Sequence, residues 1–173
     1  MSRGDGFKMI DVCVGLRKAT FDDEDRLFIW ATDTETRRQS VNQGPITFDD
    51  HHQWMMERLC DSHSHVFIAR ADFDDIGTMM LDSRPNVLSK SSSCNRSMSR
   101  HARVSITVDP IHRGRGYAAP MLTALCNKAR DLHIRTLEAV VKSDNGPSLS
   151  AFRSCGFWVS HKESGLWTLD YRL

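Results

Sequence analysis

The stretch that most constrains this chain runs from residue 103 to residue 118. Arg103-Val-Ser-Ile-Thr-Val108 alternates strictly, with Val104, Ile106 and Val108 apolar and Arg103, Ser105 and Thr107 polar, the period of a strand with one buried face. Asp109-Pro110 ends it and Arg113-Gly114-Arg115-Gly116 turns the chain. Ala118, Met121, Leu122, Leu125, Ala129 and Leu132 then recur at helical spacing. Pro120 is tolerated only in a first helical turn, which predicts a helix start near 116 or 117. Such a unit stacks unpaired backbone N–H groups at the positive end of a helix, an anion site made by the amides of about 114 to 118. The glycines let an anion approach with no Cβ in its way. The unit is not a Walker loop, because no Gly-Lys-Ser/Thr closes it, and its Gly-x-Gly is not completed to the dinucleotide fingerprint. A plain turn with two glycines and solvated arginines accounts for the same residues.

The rest of the chain supplies strands and helices around this unit. Val14 to Ala19 reads as a first strand, after a loosely held extension over 1–13. Thr20 with Asp23, and Thr47 with Asp50, are acidic variants of the capping box, and they open helices predicted over 21–32 and 48–60. Thr32 to Pro45 reads as a polar loop with a helical turn in it. His65–Arg70 and Ile76–Leu81 form a hairpin with an acidic turn, and Ser83–Arg100, with seven serines, reads as a mobile loop. Further strands are expected over 135–141, 157–160 and 166–171. Pro147 opens a short helix that Gly156 closes. Strands and helices mix, so the class is α/β (α+β) with one central sheet.

Composition excludes several function classes. At 173 residues the chain fits one domain, and 23 Lys and Arg against 22 Asp and Glu give a formal charge of +1. That balance argues against nucleic acid or an anionic membrane as the main partner. No apolar run approaches the ~20 residues needed to span a bilayer, and no secretory h-region follows Met1. The five cysteines, Cys13, Cys60, Cys94, Cys126 and Cys155, are widely spaced with no C-x-x-C pair, the pattern of reduced thiols in a cytoplasmic protein. His63-Ser-His65 lacks a third ligand at a recognisable spacing, so no metal is expected.

Arg113-Gly114-Arg115-Gly116-Tyr117-Ala118 resembles the Arg/Gln-x-x-Gly-x-Gly/Ala loop of the GNAT superfamily of acetyl-CoA-dependent N-acetyltransferases. Leu137–Asn145, followed by Ser148, Phe152 and Gly156-Phe157, is similar to a second feature of that family, a strand, an Asn-x-x-Ala/Ser helix and a Gly-Phe ending. The likeness covers roughly 14–172, so it assigns 14–173 to one GNAT domain. It implies a mixed central sheet of six to seven strands, splayed between strands four and five and flanked by about four helices.

The resemblance also implies roles. Amides of Arg113, Gly114, Arg115, Gly116, Tyr117 and Ala118 would hold the coenzyme A pyrophosphate. The pantetheine arm would pair along Ile106 and Val108, with the Val108 amide as donor to the thioester oxygen. Asn145, with Ser148 at the same helix start, would contact the arm, and Phe152 would pack beside the sulfur. Many family members carry a tyrosine at the position of Phe152, which protonates the departing thiolate; this chain has no hydroxyl there. His101 is the candidate base, with a solvated histidine or a water chain to bulk as alternatives.

Trp30-Ala-Thr-Asp33-Thr-Glu-Thr-Arg37-Arg38, then Ile46-Thr-Phe48-Asp-Asp-His51, looks like the subset that acetylates nucleotide-linked amino sugars in pseudaminic-acid and related surface-glycan pathways. Ala31-Thr32 departs from that subset's Arg-Asn, and antibiotic-resistance and ribosomal-protein acetyltransferases share parts of the block. On this reading Arg37 and Arg38 meet a diphosphate, Trp30 or Trp54 stacks on a base or packs against a sugar, and His51 faces substrate. The structural alternatives are a solvated Arg pair, a core Trp54, and a His51 that staples against Ile46. The partner expected is a small-molecule amine. Dimers are common among proteins of this type, which leaves a homodimer open. Protein N-terminal acetylation and non-catalytic acetyl-CoA sensing are the rival functions.

Overall fold

The computed structural model describes residues 13–83 and 101–173. The loop expected over 83–100 and the extension over 1–13 therefore lie outside the described residues, apart from Ser83 and Cys13 at their ends. Among the described residues seven strands form one mixed sheet: β1 (Val14–Lys18), β2 (Ser64–Ala71), β3 (Asp74–Asp82), β4 (His101–Val108), β5 (Thr136–Lys142), β6 (Trp158–Glu163) and β7 (Leu166–Arg172). Their spatial order is β1-β2-β3-β4-β5-β7-β6. All neighbours run antiparallel except β4 and β5, the parallel pair that a helical crossover must connect.

Five α-helices cover the sheet among the described residues: α1 (Glu24–Thr32), α2 (Thr34–Gln39), α3 (Phe48–Cys60), α4 (Ala118–Asp131) and α5 (Gly146–Ser154). The two-residue period of β2 sends alternate side chains to opposite faces. Phe67 and Ala69 enter the core with Met121, Leu122 and Leu125 of α4 and Leu149 and Phe152 of α5. Val66 and Ile68 enter a second core with Leu27 and Trp30 of α1 and Met55 of α3. The sheet is thus the middle of three layers, with α4 and α5 on one side and α1 and α3 on the other.

Local chemistry sets the element ends. In the second capping box the Asp50 amide donates to Thr47 Oγ1 at 3.1 Å and the Thr47 amide to Asp50 Oδ2 at 3.3 Å, which starts α3 at residue 48. At the first box the Thr20 amide donates to Asp23, but residues 21–23 wind as a 3-10 turn and α1 begins only at Glu24. Asp23 is buried, and the Arg17 guanidinium that grips both its oxygens holds its carboxyl below the ordinary value. The hairpin turns on Asp72 and Phe73, and Asp75 beyond it gathers Arg17, Arg26 and Arg70. The acidic turn is a charge hub for β1, α1 and β2.

One expectation needs correction. The polar stretch 32–45 holds more than a helical turn: it contains α2, a helix of six residues. Its sequence, Thr-Glu-Thr-Arg-Arg-Gln, has no apolar face, so no periodicity announces it.

Candidate functional site

β4 and β5 pair only at His101↔Thr136, Ala102↔Leu137 and Arg103↔Glu138, then diverge. From residue 104 onward β4 is held on its β3 edge alone. Its burial alternates from 101 to 105 and is lost at Ile106, Thr107 and Val108, all intermediate, because the gap exposes both faces. The orientation of the free groups follows from one hydrogen bond. The Asp109 amide donates to Ile76 O of β3 at 2.9 Å. With a period of two, the Val108 and Ile106 amides point the other way, into the gap.

Beyond Val108 the chain is clamped before it turns. Asp109 accepts from the Ile111 amide at 3.2 Å and pairs with the buried His112 ring at 3.1 Å, and that ring lies edge-on to Tyr117. A 3-10 turn over Pro110–His112 results. Gly114 and Gly116 follow with φ of +73° and +83°, and a Cβ built on either meets nothing within 4 Å. The space over the turn is open, and the backbone there takes the left-handed form that glycine favours. α4 starts at Ala118, one or two residues later than expected, with Pro120 third in the helix. The Met121 amide reaches Tyr117 O at 3.0 Å, so the first-turn amides at 118 and 119 have no intrahelical carbonyl. A cradle of backbone donors with open space above it and an unpaired strand edge leading from it fits a linear ligand with a phosphate end.

On the far side of the gap, Lys142 closes β5. Asn145 caps α5 by accepting from the Ser148 amide at 3.1 Å, so both residues sit at the start of a helix beside β5's exit. Phe152, 2% exposed, packs edge-on to Phe157 at 5.0 Å. A cleft of about 470 Å³ lies at this end, lined by Val41, Gln43, Lys142, Ser143, Asp144 and the β6–β7 turn at 164–166.

Other expected site residues fall elsewhere. His101 is at the opposite end of β4 from Val108, about 23 Å away at strand rise, with its ring against Thr136 Oγ1 at 3.0 Å. The fold does not bring these two together. Trp30 is 4% exposed within the α1–α3 core and presents no free ring face. Arg37 is spent on the loop after α2, donating to Asn42 O, Gly44 O and Ser40 Oγ. Arg38 is exposed and forked onto Glu35.

His51 is buried between Phe28 and Trp54, and its Nε2 has no hydrogen-bond partner. Burial pushes it below the ordinary histidine value of 6.5, with Glu24 opposing. A folded-state pKa below the unfolded one means that the unfolded chain takes up the proton first. Stability is therefore present above pH 6.5 and falls as pH drops below it. Thermal melts from pH 7.5 to 5 should show this fall, and His51→Leu should flatten it in part, since His65 is shifted in the same direction.

Three contacts were not legible in the sequence. Arg113, in the glycine turn, bonds Asp33 at 2.5 Å across 80 positions and Thr36 Oγ1 at 2.8 Å across 77. Burial alone would raise the Asp33 carboxyl, but the Arg113 and Thr36 bonds outweigh it and hold the group low. Lys142 Nζ donates to Arg38 O at 3.0 Å. Asp33 is recognisable as an N-cap from Asp33-x-x-Thr36, yet nothing local names its distant partner.

Comparison with known proteins adds the following. Residues 14–158 match the family described as Acetyltransferase (GNAT) domain. Among curated proteins no match is found. The structure resembles spermidine N-acetyltransferase from Vibrio cholerae, solved with CoA and spermine, at TM-score 0.76 and 15% identity, covering 92% of this chain and 95% of that one. It resembles ribosomal-protein-alanine N-acetyltransferase from Brucella melitensis at TM-score 0.69 and 20% identity, covering 91% and 99%. An aminoglycoside acetyltransferase solved with coenzyme A gives TM-score 0.76 and 14% identity, covering 92% and 94%. At these identities the likeness is one of fold. No described helix is long and apolar enough to cross a membrane, and no three described His, Cys, Asp or Glu residues gather as a metal site would require.

Proposed function

The chain belongs to the GNAT acetyltransferase domain family, and we propose that it acetylates the primary amine of a small hydroxylated molecule, an amino sugar carried on a nucleotide. It is an acyltransferase, and its co-substrate is acetyl-CoA. Bound acetyl-CoA supplies an activated acyl carbon and a thiolate leaving group.

On this reading the chain's part is to position and polarise. Amides of the glycine turn and the first turn of α4 hold the pyrophosphate. Ile106 and Val108 offer gap-facing amides, and the Val108 amide donates to the thioester oxygen as charge develops there. A prearranged donor of this kind is worth about 2.7–4 kcal/mol. The amine nitrogen attacks the acyl carbon, the carbon–sulfur bond breaks, and the ammonium proton leaves through water to bulk. His101 is too far along β4 to take it directly.

The observation that carries the substrate class is the lining of the cleft at the end of the gap. Gln43, Ser143 and Ser164 provide neutral hydrogen-bonding groups, Lys142 and Asp144 an ion pair at 3.9 Å, and Val41 and Leu166 an apolar wall. Neutral donors and acceptors suit hydroxyls, and the Lys142 ammonium, which offsets Asp144, disfavours a polycation. A polyamine calls for several carboxylates. Thiol release with acetyl-CoA, measured against nucleotide-linked amino sugars, polyamines and peptides, tests it. Turnover confined to the sugars is expected. A preference for polyamines or peptide N-termini overturns the substrate class, and silence with every amine while coenzyme A binds would make the chain a sensor.

Phe152 gives a further test. A tyrosine there adds a hydroxyl to a ring held in the core. If the ring edge faces the sulfur, Phe152→Tyr supplies a general acid and should raise kcat about 100-fold or more, within the range typical of such groups. A melting temperature lowered with no rate gain would show that the ring edge is walled in by the core, where an unpaired hydroxyl costs about 1–3 kcal/mol.

A further inference from the structure

α2 has no reason of its own to exist. Six residues form a helix about 9 Å long, well short of what holds together alone, and none of them is buried. What fixes it is tertiary. At its N-terminus Asp33 caps the helix through the Thr36 amide at 2.9 Å and is gripped by Arg113, which belongs to the glycine turn at β4's exit. At its C-terminal end the Arg38 carbonyl accepts from Lys142, the last residue of β5. β4 and β5 are the two strands that diverge. The helix is therefore tied at one end to one lip of the gap and at the other end to the other lip.

We propose that α2 is a strap across the mouth of the gap, and that Asp33 and Lys142 are positioning residues that hold it there to exclude water from the thioester and to form the near wall of the acceptor cleft. The proposal rests on the family reading, that acetyl-CoA lies in the gap, but not on the identity of the amine. Three features support it. Both ties are charged groups meeting charged or carbonyl partners, Arg113 being 31% and Asp33 22% exposed, so the N-terminal tie is partly shielded from solvent. The loop leaving α2 carries Val41 and Gln43 into the cleft, and Arg37 knits that loop to the helix. Finally, Arg113 stands in the turn assigned to the pyrophosphate, so whatever fills that turn acts on the residue that holds the strap.

The experiment uses the full chain with acetyl-CoA and no amine. Asp33→Asn keeps a capping side chain but loses the charge that Arg113 meets. Lys142→Met keeps the stem and loses the ammonium. Each should raise hydrolysis of acetyl-CoA, read as free thiol, about fivefold or more. Each should also speed hydrogen exchange of the amides at 34–40 about tenfold. The double variant should do no more than the stronger single one, since freeing either end frees the helix. Affinity for coenzyme A, by calorimetry, should not weaken. Unchanged hydrolysis and exchange would overturn the proposal. Additive effects in the double variant would overturn the strap. A loss of coenzyme affinity that matches any activity change would show that Asp33 serves the cofactor turn alone. Failure of the unaltered chain to bind acetyl-CoA would sink the family-based site assignment instead, so the two failures are told apart.

Discussion

Gly116→Asp should weaken coenzyme A binding at least about 100-fold by calorimetry, roughly 2.7 kcal/mol, while leaving the fold in place. Gly116 has φ +83°, and the direction of its missing Cβ opens onto empty space, so the side chain itself meets no obstacle. Two effects then act on the ligand rather than on the core. An Asp at left-handed φ strains the turn by about 1 kcal/mol or more. Its carboxylate would also stand in the cradle of backbone donors proposed to hold the pyrophosphate, competing for those donors and repelling the anion. Gly116→Ala separates the two, because it keeps the strain and the Cβ but not the charge. Its loss should be markedly smaller. Full affinity in Gly116→Asp would mean that the pyrophosphate binds elsewhere.

Gly77→Ala should be the reverse case, a small side chain with a large structural cost. A Cβ on Gly77 would lie 2.3 Å from Thr107 O and 2.9 Å from Met121 Cε, with Val108 Cα at 3.1 Å. The first contact is backbone and cannot swing away, and Met121 is fully buried, so β3 and β4 must separate. Overpacking and strain of this kind cost about 3 kcal/mol, which for a chain of this size lowers the melting temperature by roughly 6–12 °C. The displaced segment carries the gap-facing Val108 amide. Acetyl transfer should therefore fall even below the melting range, with coenzyme affinity at the glycine turn less affected. Gly15→Ala, where a Cβ meets nothing within 4 Å, is the control and should melt within about 2 °C of the parent. A Gly77→Ala protein as stable as that control would show that the β3–β4 approach is looser than these distances imply.

The two glycines mark what was readable in the chain and what was not. Gly116 stands in a turn between an alternating strand and a periodic helix, so the need for glycine, the helix start and the stacked amides are all written within fifteen residues. Gly77 sits in a strand whose sequence gives no sign that Thr107 and Met121 press against it. α3 was legible to the residue, because Thr47 and Asp50 make a local capping box and an apolar stripe follows. α2 was not, because its six polar side chains carry no period and its ties lie 80 and 104 positions away.

The site residues divide in the same way. Residues Arg113 to Ala118 are placed as one unit because they are neighbours in sequence. Trp30 and His51 each have a ligand-contact reading and a structural one in the sequence, since an aromatic on a helix serves either purpose; packing decided it, Trp30 against α3 and β2 and His51 between Phe28 and Trp54. His101 and Val108 share a strand, and only the extended geometry of that strand separates them by its full length.

Taken alone, the sequence determined most of the elements, the glycine turn and the family, because caps, alternation, helical period and glycine turns are interactions between residues a few positions apart. The tertiary structure decided where β4 leaves β5, which amides face the gap, and how α2 is tied across it. Those depend on contacts between residues far apart in the chain, whose free energy exists only once the sheet and its helices have been assembled.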